Sequence, residues 1–290
     1  MSSWDGKSRG SVLGHQLFVF SIKSLGLPFT YFILRWVALY YFLFDRKPRA
    51  ILQDLYVDHL GYDLKKANKL IYRNFIQLGR SMLDRIAFLV GRREEFTFIH
   101  EGHEHFNMLE ERGEGAILIS AHLGNWALAG NMLRSTDLTV PINVVMFQAE
   151  YEKSKDYLDR ATGGQRFNII TISDDLSHMI RIKAALNKGE FICIHGDRFI
   201  PGARTATQEF LGSSAKFPLG PFEIAARFKV PACFVYNIKT AKYEYTLRST
   251  DPAMNISSAV ELQRDYVKDL ELNLKQYPEH WFNYYDFFKT

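Results

Sequence analysis

Ile117 to Gly130 reads ILISAHLGNWALAG, and the order of residue types in it decides how the chain folds. Ala116 to Ser120 is an unbroken apolar, β-prone run, as expected of a strand buried on both faces. His122 follows at once, then the turn-forming pair Gly124 and Asn125, then an Ala/Leu-rich helix. A strand thus hands a titratable side chain to a loop. Taken alone, such a histidine also fits a core residue closing a strand, and the rest of the chain has to separate the two readings.

Outward from this stretch, apolar runs alternate with helical spacings. Strands are expected at Asn143–Phe147, Asn168–Ile172, Phe191–His195 and Ala232–Ile238, and helices near Glu150–Arg160, Leu176–Asn187 and Gly220–Phe228. The alternation predicts an α/β fold with a mixed, largely parallel sheet flanked by helices, in which ligands collect at strand ends. Upstream, Pro48–Gly61 and Asp63–Gly91 have helical spacing, with Leu70, Ile71, Phe75, Leu78, Met82, Ile86 and Leu89 on one side. Lys65, Lys66, Lys69, Arg73 and Arg80 cover the remainder, either as a basic landing face for an acidic carrier or phosphorylated lipid, or as a solvated surface.

The spacing from His122 resembles the H-x-x-x-x-(D/E) signature of the late acyltransferases of lipid A biosynthesis, the lauroyl and myristoyl transferases. His122, the Gly124-Asn125-Trp126 triplet and Leu128 match, while the acidic position holds Ala127. The resemblance implies a glycerolipid-acyltransferase-like fold and an O-acyl transfer. A neutral imidazole takes the proton of the attacking hydroxyl, and a carboxylate on its other nitrogen fixes the tautomer. Alanine accepts no hydrogen bond, so the absence of such a partner would slow the reaction by roughly 10²- to 10⁴-fold. Three readings follow: a naturally disabled protein, a carboxylate from elsewhere, or an inactivated form of a working enzyme. The intact surroundings of Ala127 favour the last.

A second block, His195 to Pro221, reads HGDRFIPGARTATQEFLGSSAKFPLGP. Asp197 and Arg198 follow a strand and are placed to face the same cleft as His122, or to pair with each other. By resemblance, Phe210, Gly212, Lys216, Phe217, Pro218 and Gly220 match the family's F-x-G turn and helix start. Gly124, Asn125, Asp197, Arg198, Arg204 and Lys216 are therefore the expected substrate-binding residues beside His122, with glycine backbone amides and cations receiving anionic groups. Pro218–Pro221 equally suits a plain helix start, and His195 is expected to be packing. MFQAEYEKSKDYLDR, beginning at Met146, lacks the family's Arg-bearing turn, so acceptor specificity does not transfer. The tail PEHWFNYYDFF, Pro278 to Phe288, resembles the family's ending; its aromatics pack in a core or touch acyl chains. The resemblance runs from about Leu13 to the end.

At 290 residues, 47% of them hydrophobic, the chain can bury one large core. It divides on sequence into a membrane-associated segment, residues 1–48, and a catalytic domain, residues 49–290. Val12–Leu25 and Pro28–Phe44 read as two helices broken at Gly26 and Pro28. Arg35 in the second disfavours a simple span, and its tyrosines and Trp36 suit a lipid–water interface, as Arg46, Lys47 and Arg49 suit anionic headgroups. A buried helical hairpin is the rival. The net charge of +4 does not call for nucleic acid. Cys193 and Cys233 lack metal-ligand spacing and read as reduced packing residues. His100, His103 and His105 with Glu101 and Glu104 do not form a helical zinc pattern, and no metal is expected. No activated Ser or Cys and no G-x-S-x-G elbow stands beside the base, so no acyl-enzyme is implied. The resemblance implies acyl carrier protein or coenzyme A as donor carrier, no other cofactor, an amphipathic lipid acceptor, and the cytoplasmic face of a bacterial inner membrane. The rivals are a catalytically dead lipid-binding or scaffold protein of the same fold, and a thioesterase-like hydrolase.

Overall fold

Each unbroken apolar run pairs with another in a seven-stranded sheet. In the computed structural model, which describes residues 12–133, 138–147, 167–173 and 175–289, the strands are β1 (Thr97–Glu101), β2 (Ala116–Ser120), β3 (Ile142–Phe147), β4 (Phe167–Ile172), β5 (Phe191–His195), β8 (Ala232–Ala241) and β9 (Glu244–Ser249), with β6 (Thr205–Phe210) and β7 (Ser213–Pro218) forming a separate hairpin. The sheet order is β1-β9-β8-β2-β5-β3-β4. β2 runs parallel to both of its neighbours, β5 and β8, and β3 and β4 continue the parallel run. The β8–β9 pairing is antiparallel, so β9 and its parallel neighbour β1 point the other way. The four strands expected on either side of β2 lie within one residue of their start, and β8 runs three residues further at its end. β9 and the β6–β7 hairpin were not foreseen, because Thr, Arg, Lys and Glu interrupt their apolar pattern.

The helices are α1 (Val12–Phe44), α2 (Arg46–Asp54), α3 (Leu64–Leu89), α4 (His103–Glu111), α5 (Trp126–Leu133), α6 (Ser177–Leu186), α7 (Gly220–Phe228) and α8 (Ala259–Gln276). A single π-helical turn, Leu55–His59, ends α2, and the Asp63 side chain caps α3 by accepting from Lys66 N at 2.8 Å. The helix expected at Glu150–Arg160 lies outside the described residues.

The chain forms two compact units. The first takes the residues up to Phe96, the hairpin tip Glu209–Ala215 and the chain from Glu271. The second takes Thr97–Gln208 and Lys216–Leu270, and so holds the whole seven-stranded sheet. The segment up to residue 48 belongs to the first unit together with α2 and α3.

In the first unit, α1 breaks at Gly26, where φ is 79° and ψ is 171°, as the Gly-x-Pro spelling predicts. Thr30 Oγ1 closes the break by donating to Gly26 O at 2.9 Å. Beyond it α1 lies against α3: Leu34 sits where a side chain on Gly79 would be, and Tyr31 hydroxyl bonds Asp84. Ile22, Leu27, Tyr31, Leu34 and Ala38 are buried, whereas Phe29, Phe32, Trp36 and Tyr40 stand 44%, 54%, 62% and 58% exposed on the other face. Arg35 is exposed as well. α1 is long and apolar enough to cross a membrane by length and composition.

The aromatic tail forms the core of this unit. Trp281 and Phe287 are buried, with Phe210 from the hairpin tip 5.7 and 5.8 Å away, centroid to centroid. Tyr56 donates to Pro278 O at 2.9 Å, and Asn74 Nδ2 donates to Trp281 O at 3.0 Å. The Phe210–Gly212 turn, expected to offer backbone amides to an anion, is instead a hairpin tip spent on packing. Leu211 and Gly212 take φ of 53° and 74°, as a tight two-residue turn requires, and Leu211 N donates to Glu271 Oε2 at 2.7 Å.

Candidate active site

The register of two parallel strands builds the site. β2 pairs with β5 so that Ser120 faces His195, and Gly196 N extends the ladder by donating to Ser120 O at 2.8 Å. Two residues past the end of each strand stand His122 and Asp197, which the register brings together. His122 Nδ1 and Asp197 Oδ1 are 2.8 Å apart, and His122 backbone N donates to Asp197 Oδ2, also at 2.8 Å. One carboxylate grips both the backbone and the ring. With an ionised carboxylate as acceptor, Nδ1 carries the proton and Nε2 is the basic nitrogen.

Asp197 is fully buried, while the His122 side chain is 12% exposed. Burial alone would push the Asp197 carboxyl up. Attraction to His122, the hydrogen bond from it and the charge of Arg198 outweigh that and hold it well below the usual carboxylate range. The expectation of a base without a carboxylate partner is therefore corrected. Ala127 lies half-buried in the first turn of α5, and the partner comes from 75 residues along the chain, where no local spacing could announce it.

The loop carrying His122 is fixed on its far side by β8. Gly124 has φ 78°, and a Cβ there would lie 2.2 Å from Asn237 O. Asn125 N donates to Asn237 O at 2.7 Å, and Asn237 Nδ2 returns a bond to Asn125 O at 2.9 Å. The Asn125 side chain is buried and donates to Tyr245 hydroxyl at 3.1 Å. Gly124 and Asn125 thus act as a clamp, with their polar groups turned to β8 and β9. Gly124→Ala is expected to cost about 1–3 kcal/mol through the left-handed backbone and the clash, read as a lowered denaturant midpoint.

Other expected residues stand apart. Arg204, 77% exposed, pairs with Glu223 at 2.8 Å, and Lys216 is exposed on β7; neither hydrogen-bonds His122 or Asp197 among the described residues. His105 Nε2 lies 2.9 Å from Asp251, and the His100 and His103 rings are 5.8 Å apart, at the end of β1 and the start of α4.

His195, read from sequence as packing, lies against His122. Its ring centroid is 4.3 Å from that of His122 at a 32° tilt, and Trp126 meets it edge-on at 5.0 Å. Surrounding protein, and then His122, lower its pKa to about 3, so it is neutral near pH 7.

A parallel α/β sheet with a histidine–carboxylate pair at its strand ends suits proton transfer from a substrate hydroxyl. The family of bacterial lipid A biosynthesis acyltransferases matches residues 13–290. The chain belongs to that family. Membership supports an acyltransferase of the lipid A biosynthesis type. A search of curated proteins gives no match.

In this family member both groups with lowered pKa, Asp197 and His195, act on stability with one sign. Asp197 binds its proton less readily folded than unfolded, so its contribution is present above about pH 4 and lost below. His195 likewise resists protonation, so its contribution is lost as pH falls from about 6.5 toward about 3. Acid unfolding followed by circular dichroism is expected to begin at lower pH in His195→Phe than in the unaltered protein.

Proposed function

We propose that this protein transfers a fatty acyl chain from a thioester on acyl carrier protein or coenzyme A to a hydroxyl of a lipid A precursor or related bacterial lipid. His122 is the general base and Asp197 its orienting partner. The observation that carries the reading is the pair of hydrogen bonds by which one buried carboxylate holds His122 N and Nδ1. The acceptor hydroxyl gives its proton to Nε2 as its oxygen attacks the thioester carbon; the C–S bond then breaks, and the imidazolium returns the proton to the leaving sulfur. Asp197 stabilises the imidazolium between these events. The step uses no metal and no prosthetic group.

The setting is the cytoplasmic face of a bacterial inner membrane. The exposed aromatic face of α1 and the exposed Arg46 and Lys47 favour a helix lying in the interface, because spanning would carry Arg35 into hydrocarbon. Lys65, Lys66 and Lys69, exposed on α3, suit an acidic carrier protein.

Ala127 favours a second reading, a protein that binds acyl lipid and no longer transfers it. The test is transfer from labelled acyl carrier protein to a panel of lipid acceptors by the unaltered protein, His122→Ala and Ala127→Glu. We expect the unaltered protein to be active, His122→Ala to lose about 10³-fold or more, and Ala127→Glu to stay within about tenfold because Nδ1 is already engaged. Activity in the glutamate variant alone would mean that Ala127 disables this chain. Acyl-lipid binding without transfer by any form would support the binding reading, and fatty acid release without an acceptor a hydrolase.

A further inference from the structure

We infer that His195 is a second catalytic residue, whose ring N–H donates a hydrogen bond to the oxyanion formed when the acceptor attacks the thioester. The inference rests on the proposed role of His122 as base and adds a group for the other charge that the reaction creates.

Three observations meet at this side chain. The first is place. His195 ends β5, next to β2 in register with Ser120, and its ring lies 4.3 Å from that of His122. In acyl transfer the attacking oxygen and the carbonyl oxygen sit on one carbon, so the group that takes the proton and the group that holds the oxyanion have to be neighbours.

The second is what the ring does not do. His195 is half-buried, its ring lies against those of His122 and Trp126, and among the described residues neither of its ring nitrogens makes a hydrogen bond. A histidine used only as filler at a strand end would be served as well by Phe or Leu, without placing two polar atoms there.

The third is charge. Surrounding protein and His122 lower the pKa of His195 to about 3. It therefore keeps one N–H donor and one lone pair at neutral pH, and places no second cation beside the imidazolium of His122. A neutral imidazole is a competent electrophile toward a developing oxyanion.

The charges then balance. The acceptor O–H bond breaks toward His122 Nε2 as the new C–O bond forms, and the carbonyl π electrons move to oxygen, where the His195 N–H meets them. They return as the C–S bond breaks, and the proton on His122 goes to sulfur. His195 keeps its proton throughout.

The test compares His195→Phe, which keeps a flat ring, with His195→Gln, which keeps an N–H donor, using acyl carrier protein thioester as donor. We expect Phe to lower kcat about 10²- to 10³-fold with KM little changed, and Gln to recover at least about tenfold of that loss. A Phe variant with unaltered kcat would overturn the inference, provided that His122→Ala and Asp197→Asn are inactive in the same assay. Unimpaired His122 and Asp197 variants would instead mean that the base assignment is at fault. A second readout uses the unaltered protein and does not depend on any variant folding. With ¹⁵N-labelled histidine, the His195 N–H resonance should move on adding an acyl-coenzyme A ketone analogue, in which CH₂ replaces sulfur, and stay in place with a thioether lacking the carbonyl. Equal responses to the two analogues would also overturn it.

Discussion

Asp197→Asn is expected to slow acyl transfer about 10⁴-fold, the size seen when an amide replaces the carboxylate behind a catalytic histidine. The amide is nearly isosteric, so the loss would not come from a cavity. Its oxygen can still accept from Nδ1, but its nitrogen can instead donate to that atom and stabilise the wrong tautomer, with the proton on Nε2. It also offers no charge to the imidazolium that forms when the acceptor is deprotonated. The measurement is kcat with labelled acyl carrier protein, alongside thermal unfolding of the same sample. The His122 backbone N–H loses its charged acceptor too, so some fall in unfolding temperature is expected beside the rate effect. Position 127 gives a cross-check. If its side chain can reach Nδ1 once Asp197 is gone, Ala127→Glu will return about 10²-fold of activity to Asp197→Asn, although it does little alone. Asp197→Asn at full rate would remove the dyad from the mechanism.

Trp281→Ala is expected to cost about 3–5 kcal/mol of stability. The indole is 1% exposed and lies edge-on to Phe210 and Phe287 at 5.7 and 5.1 Å. Truncation would leave a hole between three parts of the chain that are far apart in sequence: the hairpin tip, the tail, and α3, whose Asn74 bonds the Trp281 carbonyl. Chemical denaturation measures the loss. A shift in acyl-chain preference with stability unchanged would instead assign the tail to substrate contact.

The sequence by itself determined the largely parallel sheet and the place of His122 at the end of one of its strands. An unbroken apolar run such as Ala116–Ser120, buried along its whole length, suits a parallel sheet covered by helices. His122 before Gly124-Asn125 is legible because strand, titratable group and turn are local. The break in α1 at Gly26 is legible for the same reason. What stayed hidden is non-local. The meeting of His122 with Asp197 depends on strand register, and a slip of one residue between β2 and β5 would separate them while leaving both apolar patterns intact. Five residues on from His122 stands Ala127, whereas the carboxylate stands two residues past the end of the neighbouring strand. Alternation along β5 marks His195 as packing and does not reveal that the His122 ring, two residues past the end of β2, lies beside it. Asn125, read as a substrate contact, turned out to bind β8 and β9, because the sheet order that puts β8 beside β2 is not written in any one segment. Residue types and local spacing fix which groups are available for chemistry; only the pairing of distant strands decides which of them touch.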